Sequence, residues 1–425
     1  MPVDVLLGLQ WGDEGKGKIV DVLGHQYAII ARFQGGPNAG HTLVVEGKKY
    51  VLHQIPSGIF HPGCVCLIGN GVVLNPVILQ QEIETLLAAG VDIRSRLLLS
   101  RRMHLILPTH RLLDKAYEQA KGEKKIGSTL RGIGPTYQDK MARRGVRLGE
   151  IESPDFAQRC TEVANYHLEL LKLHNILPGE YETDLAEWNE LFWASIERLR
   201  TLTLVDSEYV LAEALAEGKQ VLAEGAQGAL LDIDFGSYPF VTSSNTTTGG
   251  ACSGLGIPPN HFGRVFGVFK AYCTRVGSGP FPTELFGSEA EELRQIGGEY
   301  GATTGRPRRI GWLDLPALKY ACMLNGVTDL VMTKADVLSG LEAVQVSVGY
   351  QTEGGTTDRL PFRQTDALKP VYQALPGWVL ADTGTLPETL EAYIRFIESY
   401  LGLPVSYVSV GADRKYMVSR TGQPA

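Results

Sequence analysis

The sequence of 425 residues lacks the features that would mark a secreted, membrane-spanning or disulfide-bonded protein. Its six cysteines are scattered and form no C-x-x-C pair, so neither a disulfide framework nor a cysteine-based metal site is indicated. No apolar run approaches the roughly 20 residues that a membrane-spanning helix needs, and the first residues lack the basic start and cleavage pattern of a signal peptide. We therefore expect a cytoplasmic protein with no membrane partner.

Basic charge is not in excess either, because 40 lysines and arginines stand against 47 aspartates and glutamates, for a net charge of −7. The sequence contains no long basic stripe with interleaved aromatic residues, which is the usual signature of a nucleic-acid-binding surface. We therefore expect no nucleic-acid partner. Hydrophobic residues make up 44% of the chain, which is sufficient for a large core, and there are no repeats or low-complexity tracts.

The chain does contain a glycine-rich loop directly after Asp4 to Leu9, an apolar segment of the length expected for a buried parallel strand. Residues 12–18 follow the G-x-x-x-x-G-K pattern of phosphate-binding loops, in which glycines let backbone N–H groups approach an anion. Ile19 stands where that pattern places a serine or threonine for magnesium. With this hydroxyl missing, the nearest alternative ligand is the carboxylate of Asp13 inside the loop.

A second glycine-rich loop follows the apolar segment Tyr27 to Phe33 and reads Gln-Gly-Gly-Pro-Asn-Ala-Gly-His-Thr over residues 34–42. Asn38 can hydrogen-bond a base edge or a phosphate, the Gly40 carbonyl can bind a hard cation, and His41 can carry a proton near neutral pH. An isolated loop histidine is usually solvated and inert, but here the first loop offers a complementary acid. The two loops together predict a site that performs chemistry as well as binding phosphate.

A third signal is the tetrad Thr333-Lys334-Ala335-Asp336, which follows a strand-like segment and resembles the guanine-reading loop of GTPases. A carboxylate in such a loop accepts hydrogen bonds from the N1–H and 2-amino groups of guanine, which adenine does not offer. A Lys-Asp pair after a strand is more often a solvated turn, and it is the phosphate loop in the same chain that favours a guanine site. The segment Val405 to Val410 is predicted to be a strand whose following turn closes over the other face of the base.

Arginine is concentrated in residues 301–309, which read Gly-Ala-Thr-Thr-Gly-Arg-Pro-Arg-Arg. Because a guanidinium group binds carboxylate or phosphate in a fork-like geometry, this loop favours a small dicarboxylate or a phosphate as its ligand. Two loops rich in hydroxyl and amide groups, residues 224–228 and 241–250, suit the neutral edge of a base, a ribose or a phosphate. Residues 127–135 form one more predicted phosphate-binding segment.

Taken in order, these motifs resemble the adenylosuccinate synthetase family over nearly the whole chain. The resemblance rests on Gln-Trp-Gly-Asp-Glu-Gly-Lys-Gly-Lys from residue 10, Gly-Gly-x-Asn-Ala-Gly-His-Thr from residue 35, Arg-Gly-Ile-Gly-Pro from residue 131, Glu-Gly-Ala-Gln-Gly from residue 224, Thr-Ser-Ser-Asn-Thr-Thr from residue 242, Gly-Pro-Phe-Pro-Thr-Glu-Leu from residue 279, Gly-Ala-Thr-Thr-Gly-Arg from residue 301, and Thr-Lys-x-Asp from residue 333. It implies a GTP- and magnesium-dependent ligase that joins IMP to L-aspartate through 6-phosphoryl-IMP and releases GDP and phosphate. This is the first committed step of AMP synthesis from IMP.

The resemblance assigns the chemistry to two residues. Asp13 is expected to take the proton from N1 of IMP, and His41 is expected to stabilise charge near O6 and the transferring phosphoryl group. One magnesium ion per subunit is expected to bind Asp13 and the Gly40 carbonyl. A carboxylate bound to magnesium is a weaker base, and the sequence leaves open whether Asp13 fills both roles in one state.

The other expected contacts also follow from the resemblance. The residues expected to bind IMP and L-aspartate are Asp13, Lys16, Asn38, His41, Thr129, Arg143, Gln227, Thr242, Thr303, Thr304, Arg306 and Arg308. The residues expected to bind GTP are Gly12, Asp13, Glu14, Gly15, Lys16, Gly17, Lys18, Gly40, His41, Thr42, Arg308, Lys334, Ala335, Asp336, Ser409, Val410 and Gly411. Arg143 is expected to reach across from the second subunit of a homodimer.

Two other functions are compatible with parts of the sequence. A regulatory GTP-binding switch without a metabolite acceptor would explain the phosphate and guanine loops. It would leave His41 and the arginine loop without a role, and it favours a hydroxyl residue at position 19. An ATP-using ligase with a different acceptor is disfavoured by the guanine-type acceptor Asp336.

The alternation of strand-like and helix-like segments predicts an α/β fold of the P-loop-NTPase-like kind, with a large, mostly parallel, doubly wound sheet and long functional loops. We expect one domain over residues 1–425 with a mainly helical insertion at about 100–200. Helices are predicted from Pro76 to Leu87, in two pieces over residues 153–199, and over residues 387–401.

Overall fold

A computed structural model describes residues 2–45, 47–301, 305–363, 368–381 and 385–420. The strands are β1 (Val3–Gly8), β2 (Ile29–Arg32), β3 (His41–Val45), β4 (Lys48–Leu52), β5 (Val65–Ile68), β6 (Val73–Leu74), β7 (Leu97–Ser100), β8 (His104–Leu105), β9 (Thr203–Val205), β10 (Val221–Glu224), β11 (Phe262–Lys270), β12 (Cys273–Arg275), β13 (Arg309–Gly311), β14 (Leu313–Asp314), β15 (Asp329–Thr333), β16 (Ala343–Thr352), β17 (Gly355–Thr357), β18 (Lys369–Pro376), β19 (Val405–Ser409) and β20 (Met417–Ser419). The helices are α1 (Lys16–Leu23), α2 (Pro76–Ala88), α3 (Pro108–Ala120), α4 (Ile133–Ala142), α5 (Phe156–Leu173), α6 (Glu182–Leu199), α7 (Ser207–Ala216), α8 (Thr248–Leu255), α9 (Ser288–Gly297), α10 (Leu315–Asn325) and α11 (Glu388–Leu401).

The centre of the fold is a sheet of 10 strands in the order β20-β19-β15-β11-β1-β10-β2-β5-β7-β9. Every neighbouring pair is parallel except β19 and β20, which pair antiparallel at one edge. The predicted α/β fold with a large, mostly parallel sheet is therefore confirmed.

Both faces of the central strand β1 are covered, as expected for a strand of continuous apolar sequence. Val5 and Leu7 pack into the largest apolar cluster, whereas Leu6 packs on the opposite face with Ile19 and Val20 of α1. This alternation follows from the period of two in a strand. The side chain of Ile19 is thus part of the hydrophobic core beneath the first glycine loop.

Most predicted helices form as expected. Asn75 caps α2 by accepting a hydrogen bond from the backbone N–H of Ile78 at 3.1 Å, and Pro76 occupies the first position of the helix. Residues 153–199 do contain two helices, α5 and α6, and the carboxy-terminal apolar stripe belongs to α11. Four helices, α3 to α6, lie in the chain between β7 and β9, which are neighbours in the sheet. Among the helices of the described ranges, none has both the length and the apolar character needed to cross a membrane.

The parallel sheet brings distant parts of the sequence to a common edge. In a parallel sheet the carboxyl ends of all strands lie on the same side, and ligands bind in the crevice outside them. The loops that follow β1, β2, β10, β15 and β19 include every motif singled out above except the segments of residues 127–135 and 279–285, the loop of residues 241–250 and the arginine loop. This edge is where the candidate site is found.

Candidate active site

The first glycine loop joins β1 to α1 at the carboxyl edge of the sheet. Gly12 and Gly15 have φ angles of 87° and 84°, in the left-handed region that glycine adopts readily. Asp13 lies between them with a φ of 60°, which is uncommon for a residue with a side chain. The helix begins at Lys16, and its amino-terminal N–H groups are directed toward the loop, as in other anion-binding helix termini.

The two carboxylates of this loop have different environments. Glu14 is fully buried and accepts hydrogen bonds from the backbone N–H groups of Gln10 (3.1 Å) and Gly12 (2.9 Å). It also accepts one from the amine of Lys16 at 2.5 Å. Glu14 therefore braces the loop from inside. The side chain of Asp13 is 30% exposed, so Asp13 is the carboxylate that the loop presents to a ligand.

Asp13 is linked to a chain of buried charges. Its carboxylate lies 2.7 Å from Nε of Arg308, and a terminal nitrogen of Arg308 donates to Glu299 at 2.5 Å. Glu299 is fully buried and also accepts hydrogen bonds from the amine of Lys270 (2.8 Å) and the hydroxyl of Tyr272 (2.5 Å). Although burial opposes ionisation, the neighbouring cations lower the pKa of Glu299 to about 2. Two carboxylates and two cations therefore alternate from the first loop into the core.

His41 is held by a second buried carboxylate. Its Nδ1 nitrogen lies 2.6 Å from Glu224, which also accepts hydrogen bonds from the backbone N–H (2.8 Å) and the hydroxyl (2.7 Å) of Ser57. Burial lowers the pKa of His41 to about 4, and the nearby charge of Arg32 acts in the same direction, whereas Glu224 opposes both. In these protein surroundings the imidazole of His41 is therefore neutral near pH 7.

Besides Nε of Arg308, which lies beside Asp13, three predicted ligand-binding residues have buried polar atoms without a hydrogen-bond partner among the residues that the structure describes. They are Oδ1 of Asn38, Nε2 of Gln227 and Oδ1 of Asp336. Most buried polar atoms in proteins are paired, and leaving one unpaired costs about 1–3 kcal/mol. These atoms lie in three loops at the carboxyl edge of the sheet, and the pattern is typical of a site that a polar ligand completes.

The second glycine loop contacts the loop after β10. The side-chain amide of Gln34 donates to the carbonyl of Ala226 at 2.9 Å, and its oxygen accepts from the N–H of Ala226 at 2.8 Å. A Cβ atom on Gly35 would come within 2.9 Å of the side-chain oxygen of Gln227, so glycine permits this close approach. These contacts bring Asn38 and Gln227 into one neighbourhood.

The guanine-type loop contacts the phosphate loop directly. The hydroxyl of Thr333 donates to the backbone carbonyl of Glu14 at 2.7 Å, and the amine of Lys334 donates to the carbonyl of Gly297 at 2.8 Å. On the other side, the amine of Lys18 donates to the hydroxyl of Ser409 and to the carbonyl of Gly411, both at 2.6 Å. A phosphate-binding element and both segments predicted to bind the base are thus joined by hydrogen bonds.

Several predicted residues lie at the margin of this arrangement. Thr129 and Arg143 are exposed, and Arg143 directly follows α4 with a φ of 62°. Thr242 is half-buried, and Arg306 is exposed. The residues of the arginine loop at positions 303 and 304, Thr303 and Thr304, lie outside the described residues.

A separate buried cluster of two histidines and an aspartate has the residue types of a metal site, but its members are hydrogen-bonded to one another. Nε2 of His110 and Nε2 of His167 lie 3.0 and 2.8 Å from the same oxygen of Asp139. Nδ1 of His110 accepts a hydrogen bond from the backbone N–H of Leu107 at 2.9 Å, so the proton of this neutral ring is on Nε2 and is donated to Asp139. The cluster is therefore a hydrogen-bonded network that ties α3, α4 and α5 together.

Sequence reasoning missed Glu299, Lys270 and Arg32 and gave no separate role to Glu224. Arg32, Glu224 and Lys270 share a recognisable signal, because each is the last residue of an apolar parallel strand and each is buried. A charged residue at that position faces the ligand crevice of a parallel sheet. Glu299 has the weaker signal of immediately preceding the arginine loop in the sequence.

A phosphate loop, a guanine-type loop and an acid paired with an arginine at the carboxyl edge of a parallel sheet define a nucleotide-dependent α/β enzyme. The adenylosuccinate synthetase family model matches residues 5–418. An adenylosuccinate synthetase from Cytophaga hutchinsonii is 57% identical over 423 residues, covering 98% of this chain and 97% of the relative. An adenylosuccinate synthetase from Christiangramia forsetii is 53% identical over 426 residues, covering 99% of this chain and 100% of the relative. The chain belongs to the adenylosuccinate synthetase family.

Solved structures agree with this assignment. The structure of a fully ligated adenylosuccinate synthetase from Plasmodium falciparum superimposes with a TM-score of 0.91 at 41% identity, covering 99% of this chain and 100% of that one. A succinoaminodeoxyadenylate synthetase from cyanophage S-2L shares the fold, with a TM-score of 0.64 at 22% identity, covering 98% and 95%. The predicted family and the prediction of a ligase of purine nucleotide synthesis are confirmed, and a regulatory switch without a metabolite acceptor is not favoured.

Proposed function

We propose that this enzyme joins IMP to L-aspartate, with GTP as phosphoryl donor and magnesium as the metal, and forms adenylosuccinate through 6-phosphoryl-IMP. The observation that carries the proposal is the meeting of the phosphate loop and the guanine-type loop through the 2.7 Å hydrogen bond from Thr333 to Glu14. This contact supports one nucleotide spanning both loops.

The chemistry is assigned to Asp13 and His41. Asp13 takes the N1 proton of IMP, O6 forms a bond to the γ-phosphorus of GTP, and GDP leaves as the β,γ-bridging bond breaks. The amine of L-aspartate then forms a bond to C6, loses a proton, and displaces O6 as part of the phosphate. His41, held by Glu224 through Nδ1, stabilises the charge that develops at O6 and the transferring phosphoryl group by donating from Nε2. This role requires the imidazolium form, so the anionic phosphates must bring a second proton to the ring.

The residues present fit a magnesium ion. The carboxylate of Glu14 is already hydrogen-bonded to backbone N–H groups of its own loop, and the side chain of Ile19 is packed in the core. The partly exposed carboxylate of Asp13 is therefore the hard oxygen ligand that this loop offers to a magnesium ion. We assign Asp13 and the carbonyl of Gly40 as ligands of one ion per subunit, which when bound would neutralise phosphate charge. Nε of Arg308 lies 2.7 Å from Asp13, so Arg308 contributes positive charge at the same position.

The nucleotide site extends from the first loop to the base-binding segments. Asp336, one buried oxygen of which has no partner among the described residues, accepts hydrogen bonds from guanine. Backbone groups of residues 12–17 bind the phosphates, together with Thr42 and Arg308. Residues 409–411 cover the base.

IMP is assigned to the neighbourhood of the second glycine loop. Asn38 and Gln227 support this assignment, since each has a buried polar atom that no group in the described part of the chain pairs, and Thr129 and Thr242 extend it. Arg306, with Thr303 and Thr304 from outside the described residues, is assigned to L-aspartate. The exposed position of Arg143 supports the proposal that it reaches the site of a second subunit in a homodimer.

We propose further that the whole chain forms one ligase domain, in which residues at about 100–200 are a helical insertion, and that it acts in the cytoplasm. The position of α3 to α6 between two neighbouring strands supports the insertion.

The test is an absorbance assay for adenylosuccinate with purified protein, IMP, L-aspartate, magnesium and either GTP or ATP. Product that requires every component and forms faster with GTP supports the proposal. Equal or faster turnover with ATP would favour the ATP-using ligase and remove the guanine role of Asp336. Phosphate release from GTP that does not depend on IMP or L-aspartate, without product, would contradict the proposed reaction.

A further inference from the structure

Lys18 occupies the place of the phosphate-binding lysine in the G-x-x-x-x-G-K pattern, yet its amine lies on the base side of the site. Because α1 already begins at Lys16, Lys18 lies within the first turn of the helix. Its Nζ donates to the hydroxyl of Ser409 and the carbonyl of Gly411, both at 2.6 Å. Lys18 thus joins the phosphate-loop helix to the segment after β19.

The donors and acceptors around this amine complement one edge of guanine. An ammonium group has three N–H donors, and the contacts within the described residues use two of them. Asp336 exerts the strongest attractive charge on Lys18, and one of its oxygens is buried without a partner among those residues. A neighbouring donor and acceptor match the O6 acceptor and N1–H donor of a 6-oxopurine. They mismatch adenine, which has an amino group at C6 and no proton on N1.

We infer that Lys18 is a specificity-determining residue of the nucleotide site, which selects a 6-oxopurine over a 6-aminopurine from its position against Ser409 and within the electrostatic reach of Asp336. The inference rests on the proposed function, because it concerns the base of the nucleotide that phosphorylates IMP. It gives Lys18 a role different from the phosphate contact that the sequence pattern suggests.

The ionisation of Lys18 offers an independent readout. Burial lowers the pKa of Lys18 to about 8, with a smaller contribution from Lys334, while the carboxylates of Asp336 and Asp413 oppose this change. The ammonium donor is therefore present at pH 7 and is lost in mildly alkaline solution. Arginine at the same position would keep its charge over this range.

The experiment compares kcat/KM for GTP, ITP and ATP in the wild type and in Lys18→Met. GTP and ITP differ only in the 2-amino group, which reports on Asp336, whereas ITP and ATP differ at C6 and N1. We expect Lys18→Met to lower the ITP:ATP ratio of kcat/KM about tenfold or more, as for the loss of a charged hydrogen-bond donor, and to leave the GTP:ITP ratio within about twofold. A phosphate contact would instead lower kcat/KM equally for all three nucleotides, and unchanged ratios would overturn the inference.

The pH dependence gives the second comparison. The wild-type ITP:ATP ratio should fall between about pH 7 and 8.5, and the ratio of Lys18→Arg should stay flat, since kcat/KM reports ionisation of the free enzyme. Titration of the nucleotide itself affects both proteins alike. A wild-type ratio as flat as that of Lys18→Arg would contradict the inference.

Arg264→Met is the matched control. Arg264 is a partly buried cation that pairs with Asp329 at 2.6 Å, at the opposite end of the strand that leads to Asp336. Its removal should lower the melting temperature and leave both nucleotide ratios unchanged. If Lys18→Met does not yield folded protein, Lys18→Gln permits the same comparison. Failure of the proposed function is distinguishable, because the wild type would then form no adenylosuccinate with any nucleotide.

Discussion

The Nδ1 nitrogen of His41 lies 2.6 Å from a carboxylate oxygen of Glu224, and the backbone N–H of Ser57 donates to the other oxygen at 2.8 Å. Neighbouring groups, above all the hydrogen bond from His41, lower the pKa of Glu224 against the effect of its burial. An ionised carboxylate only accepts hydrogen bonds, so Nδ1 carries a proton and Nε2 is the ring nitrogen that Glu224 leaves for a ligand. Glu224 is in this sense a positioning residue for His41.

Glu224→Gln should therefore reduce kcat about 10–100-fold, because the glutamine no longer fixes the ring through a charged acceptor. The KM values for IMP and GTP should change little. Steady-state kinetics of the two single variants and of the double variant with His41→Asn check this. The double variant should be no worse than His41→Asn alone, and additive losses would show that Glu224 does not act through His41.

His41→Asn should lower kcat by about 100-fold or more, since it removes a group aimed at charge in the transition state. Binding of GTP should be nearly unchanged, as measured by calorimetric titration. Normal turnover would refute the electrostatic role of His41. Loss of nucleotide binding together with turnover would make His41 a binding residue instead.

Asp336→Asn should weaken the binding of GTP and change which nucleotide base the enzyme prefers. One buried oxygen of Asp336 has no partner within the described ranges and is proposed to accept from guanine. An amide in its place offers a donor, which suits the 2-oxo group of xanthine. We expect kcat/KM for GTP to fall about tenfold or more and the ratio of xanthosine triphosphate to GTP to rise. Measuring kcat/KM for both nucleotides tests this, and an unchanged ratio would remove the guanine assignment.

Mixing inactive variants tests the contribution of Arg143 across subunits. Arg143→Leu and His41→Asn should each be poorly active alone. If Arg143 completes the site of a second subunit, random pairing gives one intact site in half of the dimers, so an equimolar mixture should recover roughly a quarter of wild-type activity. Subunit exchange must be verified by native mass spectrometry with one variant tagged. Exchange without recovered activity would place Arg143 in the site of its own chain.

Buried histidines should each make a destabilising contribution as the pH falls, while Glu82 and Asp314, whose pKa values burial raises to about 7 and about 6, act in the opposite direction. Burial lowers the pKa values of His104 and His110 to about 4 from an ordinary value of 6.5. The unfolded state then binds more protons than the folded state, so stability is lost as the pH falls through this window, by at most about 1.4 kcal/mol per pH unit for each histidine. Urea unfolding at pH 7, 6 and 5 measures the slope, and His110→Gln should reduce it. An equal slope in the variant would show that His110 is not protonated on unfolding.

Motifs with special backbone needs were the most predictable part of the site. Glycine at positions 12 and 15, the acid at 13 and the histidine at 41 could be located because their residue types are rare in ordinary loops. The parallel sheet could be predicted for a similar reason, since short apolar segments alternate with helical periodicity.

Side-chain partners across long sequence distances were not predictable in the same way. The pairing of Asp13 with Arg308 and of Arg308 with Glu299 depends on how the arginine loop packs against the first loop, and spacing in the sequence does not encode this. The segment that the Lys18 amine contacts could not be predicted either. It depends on the start of α1 at Lys16, two residues before Lys18, and the motif does not specify where the helix begins. Glu14 belonged to a predicted binding motif, but only its contacts show that it braces the loop.

Arg32, Glu224 and Lys270 end three strands that, with β1, form one continuous stretch of the sheet. Their charges are held by the central sheet, while the candidate ligand-binding loops extend beyond it. Insertions or substitutions in those loops can therefore alter which acceptor or amine is used without displacing these buried charges. Divergence of substrate choice on a conserved reaction centre is the evolutionary route that this architecture leaves open.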